Sequence, residues 1–160
     1  MEAMLIPPIP ELPNFGFGTS LLLSHLLGRK HYRLHYQEER DESQAYLILD
    51  NSAHEFQSGQ SASLLLEQIS SFPVAEVVAP DTLFDCDATL AGCQTALELW
   101  SQSEVFGSLR PRVMLVPQGK DREDWHRCLY ELISIYERFA RQFSSHFYAE
   151  PVIGLSKDYE

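Results

Sequence analysis

The sequence predicts an α/β fold built on a parallel sheet, and three observations carry that prediction. Four short apolar runs, residues 46–50, 75–81, 112–119 and 151–156, each stop at a polar or glycine position: Asp50, Asp81, Gln118 with Gly119, and Gly154. Between them lie segments long enough for a helix, so the order strand, helix, strand, helix implies parallel pairing with right-handed crossovers. The run Tyr46-Leu47-Ile48-Leu49 is aliphatic without polar alternation, as in a strand covered on both faces. In such a sheet the polar ends gather along one edge, where α/β folds place ligands. For Asp50 alone, capping the next helix or closing a turn is an equally good reading; recurrence of the pattern favours a site.

Taken in order, residues 1–17 carry Pro7, Pro8, Pro10 and Pro13, which exclude a regular helix and predict an extended arm. From Thr19 as N-cap, Leu21-Leu22-Leu23-Ser24-His25-Leu26-Leu27 has helical spacing and ends at Gly28. A second short helix is expected over 32–39, then a polar turn at 40–43 into the central strand. Gln57-Ser58-Gly59-Gln60 is a loop flexible enough to admit a ligand, and 61–70 places Leu64, Leu65 and Ile69 at core-facing spacing. Asp85 and Asp87 fall at the start of a helix carrying Leu90, Ala91, Leu97 and Trp100, where its dipole favours carboxylates. Residues 107–111 form a turn. A long helix over 122–143 has Trp125, Cys128, Leu129, Leu132, Ile133, Tyr136 and Phe139 as its apolar stripe. The organisation expected is a single domain, with an arm and helices in 1–44 and the sheet in 45–160.

With 160 residues, 44% of them hydrophobic, the chain suffices for one domain with a core. No apolar run approaches the roughly 20 residues that span a bilayer, so no membrane association and a cytoplasmic location are expected. Cys86, Cys93 and Cys128 lack C-x-x-C spacing, which predicts buried free thiols and neither a metal site nor a cofactor. A net charge of −11 opposes non-specific attraction to nucleic acid. The basic and aromatic stretch Arg29-Lys30-His31-Tyr32-Arg33, with His35 and Tyr36, could track a phosphate backbone, although a solvated helix face is the commoner meaning.

The four strand ends, in order, resemble the tRNA-guanine transglycosylase superfamily, and most closely its phage and bacterial branch that inserts 7-deazaguanines into DNA. The resemblance covers about residues 47–156. Leu49-Asp50-Asn51-Ser52-Ala53 is similar to that branch's Leu-Asp-Asn-Gly-Ala, Ala79-Pro80-Asp81 resembles the segment of the base-recognising Asp, Val116-Pro117-Gln118-Gly119 the Gln-Gly element, and Ile153-Gly154-Leu155 the Gly-Leu turn. Ser52 and His54 stand where the tRNA enzymes have Gly and Phe.

The resemblance implies part of a (β/α)8 TIM-type barrel, about four parallel βα units, and exchange of guanine for a 7-deazaguanine in DNA or tRNA. It also implies that the nucleophilic carboxylate, and the zinc cluster of the tRNA enzymes, lie beyond the matched residues. A guanine-like base needs acceptors for N1–H and N2–H, which Asp81 supplies, and donors for O6, which Gln118 and the backbone N–H of Gly119 or Leu155 supply. Asp50 is the candidate for proton transfer or ribose positioning, with Asn51, Ser52 and Gly154 lining the site. A full barrel takes about 250 residues, so either the chain is a fragment of a longer one or the missing half comes from a second chain or a homodimer. The alternative is a non-catalytic half-barrel subunit or fragment that binds a partner chain. A metal-dependent hydrolase using Asp50 and Asp81 is a third possibility.

Overall fold

The computed structural model describes residues 19–155; the expected N-terminal arm, and Ser156 at the end of the last strand, lie outside them. The described chain folds as a five-stranded, all-parallel sheet with six α-helices, in sequential strand order β1-β2-β3-β4-β5. The strands are β1 (Thr19–Leu23), β2 (Tyr46–Asp50), β3 (Glu76–Val78), β4 (Arg112–Leu115) and β5 (Val152–Ile153). The helices are α1 (Lys30–Ser43), α2 (Ala53–Phe56), α3 (Ala62–Ser71), α4 (Cys86–Ser101), α5 (Glu104–Leu109) and α6 (Arg122–Gln142).

Strand alternation divides the sheet into two faces. Leu22, Leu47, Leu49, Val77, Val113 and Leu115 join the helices in the main core. Among the described residues, Ile48, Val78 and Met114, with Leu21, Val116 and Val152 beside them, form a separate cluster made of strand-side residues. Both sets are apolar, which is why the strands show no polar alternation in sequence.

Helix starts follow local chemistry. The side chains of Ser61, Asp85, Ser103 and Asp121 each accept a backbone N–H in the first turn of α3, α4, α5 and α6. Each such cap contributes about 1 kcal/mol. Gln44 and Arg110 adopt left-handed conformations (φ 53° and 46°) that end α1 and α5. The longest helix buries Cys128, Leu132, Tyr136, Phe139 and Ala140, a near four-residue spacing that lays one stripe against α4.

Three expectations are corrected. Residues 19–27 are not a helix: Thr19–Leu23 is β1, in register with β2 from Thr19 opposite Tyr46 to Leu23 opposite Asp50, and only Ser24–Leu26 turns, as a 3-10 helix. A short apolar run fits a buried strand as well as a helix, and pairing along the whole edge of β2 decides it. The sheet therefore has five strands, not four. The turn expected at 107–111 begins inside α5, whose Phe106 is buried and stacks on Trp100 with centroids 5.0 Å apart. The helix expected over 32–39 extends to Lys30–Ser43.

Trp100 is fully buried, and its Nε1–H donates to the carbonyl of Ala62 at 3.2 Å, joining α4 to the start of α3. Trp100→Ala removes the Phe106 stack and the indole hydrogen bond and opens a large cavity, so it is expected to lower stability by about 3–5 kcal/mol. Urea unfolding followed by circular dichroism would measure it, and a loss below about 1 kcal/mol would refute this packing.

Candidate ligand site at the strand ends

The residues that follow β2, β3 and β4 meet around one buried carboxylate. Asp81 is 5% exposed. Its Oδ1 accepts from Asn51 Nδ2 at 2.6 Å and its Oδ2 from Gln118 Nε2 at 2.5 Å. Asn51 Nδ2 also donates to the carbonyl of Ala79 at 2.6 Å, and its Oδ1 accepts the N–H of Ala53 at 2.8 Å, so the amide is used at both ends. Gln118 Oε1 faces the N–H of Phe84 at 3.4 Å. Burial pushes the Asp81 carboxyl above its ordinary value, while the two amide hydrogen bonds pull it down. With both carboxylate oxygens engaged, Asp81 ties three successive loops.

The segment expected to be a flexible loop lies across this cluster. Gly59 N–H donates to the Asp81 carbonyl at 2.7 Å, Gln60 N–H to the Asn51 carbonyl at 2.8 Å, and Leu83 N–H to the Gln57 carbonyl at 2.9 Å. Ser58 and Thr82 form an antiparallel bridge between the loops after β2 and β3. A β-carbon on Gly59 would come within 2.9 Å of Asn51 Cγ and 3.1 Å of the Asp81 backbone nitrogen, so only glycine permits this approach. Beside the cluster is a cavity of about 350 Å³ bounded by Gly59, Gln60, Pro80, Asp81 and the small α4 residues Ala88 and Gly92. That volume lies within the roughly 300–1,000 Å³ of small-molecule sites.

Asp50 has the parity of Ile48 and so belongs to the same face of the sheet. Its Oδ2 accepts the N–H of Ser52 at 2.9 Å. Desolvation drives its pKa up to about 6; Glu55 and Asp81 push the same way, and the Ser52 N–H and His54 oppose them. A carboxyl titrating there can hold or release a proton near neutrality.

Ser52 sits on the turn from β2 to α2 with φ 62°. Its hydroxyl lies 3.0 Å from Ser24 Oγ and 2.9 Å from His25 Nδ1. A strained serine beside a histidine invites comparison with a nucleophile and its base, but Ser52 is wholly buried. Its hydroxyl is an internal link and not an attacking group.

Gly119 is buried directly after Gln118, and a β-carbon there would collide with the backbone of Asp124 and Trp125 in the first turn of α6. Its role is to let the helix approach the strand end. Gly154 donates its N–H to the carbonyl of Leu115 at 2.9 Å, and a β-carbon would meet Met114 Sδ at 2.8 Å. Leu155 is 78% exposed on the outermost strand's exit. The structure thus gathers Asp50, Asn51, Ser52, Asp81 and Gln118, keeps Gly119 adjacent, and sets Gly154 and Leu155 at the last strand.

Sequence reasoning missed His25, Ser24 and Gly59. The histidine was hidden by the helical reading of its segment, and the glycine carried only its loop composition as a signal. Cys86, Cys93 and Cys128 are buried free cysteines, and Cys128 Sγ accepts the Gln118 N–H at 3.4 Å. Among the described residues no group of three or more His, Cys, Asp or Glu side chains is placed to hold a metal ion, and no helix is long and apolar enough to cross a membrane. In comparison with known proteins, no family model, no curated protein and no solved structure matches this chain.

Two outcomes are expected here. Because the folded value of Asp50 is raised from 3.8 to about 6, the folded state takes up the proton first, so this group's contribution is fully favourable below about pH 4 and is lost as pH rises through 6. Asp50→Asn should remove that decline and raise stability at pH 7 by on the order of 2 kcal/mol. Chemical denaturation from pH 4 to 8 checks it, and an unchanged slope would refute the desolvation of Asp50. Gly59→Ala should cost about 1–3 kcal/mol by forcing the loop off Asn51. In the same denaturation series, a neutral result would show that the loop stands clear of the amide.

Proposed function

We propose that this chain is the base-recognising part of a base-exchange transglycosylase, with a partial (β/α)8 barrel that accommodates guanine or a 7-deazaguanine from DNA or tRNA. One observation carries the reading: the buried Asp81 carboxylate is bracketed by two amide N–H donors, from Asn51 and Gln118. A guanine edge presents the same pattern, N1–H and N2–H toward one carboxylate. Displacing the two amides would let the base take their place and free those amides for the base's own acceptors. Such a buried acceptor pair discriminates strongly, because a base lacking the donors leaves a carboxylate unpaired.

The rest of the edge supports this use. Strands in sequential order, all parallel, with polar residues at their C-terminal ends, are the arrangement in which a (β/α)8 barrel builds its sites. The cavity beside Asp81 offers room for a small planar ligand. Asp50, with its raised pKa, is suited to moving a proton or orienting the sugar as the glycosidic bond breaks, and the carboxylate nucleophile would come from outside the matched residues.

A second reading is favoured by the sheet itself, whose linear order leaves β1 and β5 as its ends where a barrel of eight strands would close. On that reading the chain is a non-catalytic half-barrel subunit that binds a second chain or another copy of itself. Size-exclusion chromatography with light scattering distinguishes them, since a well-behaved monomer counts against an obligate partner.

Asp81→Asn keeps the shape but exchanges a two-oxygen acceptor for one oxygen and one donor. It should weaken binding of guanine or a 7-deazaguanine by roughly 10- to 100-fold in calorimetry. Asp50→Asn should spare free-base affinity and affect only label incorporation into DNA or tRNA by the complete enzyme. Equal affinity for wild type and Asp81→Asn, with wild-type binding measurable, would remove Asp81 from base recognition.

A further inference from the structure

The end of β1 brings a histidine to the same edge by a route that the base-recognition reading does not use. Leu23 is opposite Asp50, so the register carried two residues further sets His25 beside Ser52. The side chains meet there: His25 Nδ1 is 2.9 Å from Ser52 Oγ, the His25 backbone N–H is 3.4 Å from the same oxygen, and Ser24 Oγ is 3.0 Å from it. Ser24 and Ser52 are both buried, whereas His25 is half-buried and its ring stands edge-on to the exposed Phe56, with centroids 5.3 Å apart.

Counting protons fixes the direction of this chain. Ser52 Oγ receives the backbone N–H of His25, which leaves it one further lone pair and one proton of its own. If the Ser24 hydroxyl donates to Ser52 and the Ser52 hydroxyl donates to His25 Nδ1, every buried hydroxyl is used. The opposite direction has Nδ1–H donating to Ser52 and Ser52 to Ser24, which leaves the buried Ser24 proton with no acceptor, at a cost of roughly 1–3 kcal/mol. The first direction therefore wins, and the neutral ring carries its proton on Nε2.

We propose that His25 is a ligand-binding residue: Ser24 and Ser52 lock its neutral ring as the Nε2–H tautomer, and that N–H donates to an uncharged oxygen of a nucleoside's sugar at the β1–β2 end of the site. The sugar is favoured over a phosphate because carboxylates outnumber cations at this end of the edge: Asp50 and Glu55 both act on Tyr32, whose hydroxyl accepts the Leu23 N–H, and Asp50 also feels Asp81, with His54 as the opposing group. An N–H donor in this position suits a hydroxyl or ring oxygen, and the carboxylates around it repel an anion. Ser52 is the positioning residue, and its left-handed backbone is what turns its hydroxyl back toward β1. The ligand half of this proposal rests on the base-exchange reading, and the tautomer half does not.

Two measurements on the intact chain test it. Nitrogen-15 NMR of the histidines at pH 8 should show His25 as a single Nε2–H tautomer, and Ser52→Ala should convert it to a mixture; a mixed or Nδ1–H ring in the wild type overturns the lock. Calorimetry with guanine, guanosine and guanosine 5′-monophosphate should then show His25→Ala weakening guanosine about tenfold with guanine unaffected, and His25→Gln, which places an N–H near the same point, recovering most of the loss. Equal loss for base and nucleoside overturns the sugar assignment, and a loss confined to the monophosphate assigns the donor to phosphate instead. If guanine binds but guanosine affinity is indifferent to His25, this proposal fails while the base reading stands. If none of the three binds the wild type, the base reading falls and the sugar contact with it.

Discussion

A buried carboxylate cannot remain charged in an apolar setting without donors, and the ends of three strands are arranged by that requirement. Asp81 obtains two amide N–H groups, one from the loop after β2 and one from the loop after β4. Asn51 also holds the Ala79 carbonyl and the N–H of Ala53, so its position is set by the end of β3 and by the start of α2 at once. Removing any member would leave a polar group buried and unpaired. The cluster therefore acts as a clasp across the C-terminal edge, and the glycine at 59 lets a further loop close over it.

The clasp explains why strained backbone collects here. Ser52, Gln57 and Phe84 have left-handed φ values of 62°, 66° and 61° without being glycine, and all three lie in the loops after β2 and β3. Each conformation costs on the order of 1 kcal/mol or more and persists only where surrounding contacts over-determine it. The contacts are visible: the Ser58–Thr82 bridge fixes the two loops to one another, and the Ser52 hydroxyl is held by His25 and Ser24. Strained backbone thus coincides with two carboxylates of raised pKa at one strand edge.

The main core lies among the helices and touches this edge at Ala62. Trp100, Phe106, Phe147 and Tyr136 pack among α4, α5, α6 and the segment after it, with ring centroids 5.0 to 6.0 Å apart. That aromatic group sits on the helix side of the sheet, whereas Asp50 belongs to the other face. The cavity beside Asp81 is bounded by Ala62 of α3 and by Ala88 and Gly92 of α4, so a ligand there would bear on the helices as well as on the loops, and Ala62 is the residue whose carbonyl Trp100 holds.

By itself the sequence determined the α/β class, four of the five strands and the long helix over residues 122–142, because apolar runs and a near-four-residue stripe are local signals that survive without a fold around them. It also pointed to Asp50, Asn51, Ser52, Asp81 and Gln118, since a polar residue that stops an apolar strand is itself a local signal. Tertiary structure alone decided the rest. Thr19–Leu23 is a strand because β2 offered it a full edge to pair with, which outweighs the helical spacing of its leucines. Asp81 is a hub and not an open acceptor because Asn51 and Gln118, 30 and 37 residues away in the chain, are brought within hydrogen-bonding distance of it. His25 reaches the site for the same reason: strand register is a relation between distant segments, and no local pattern encodes it.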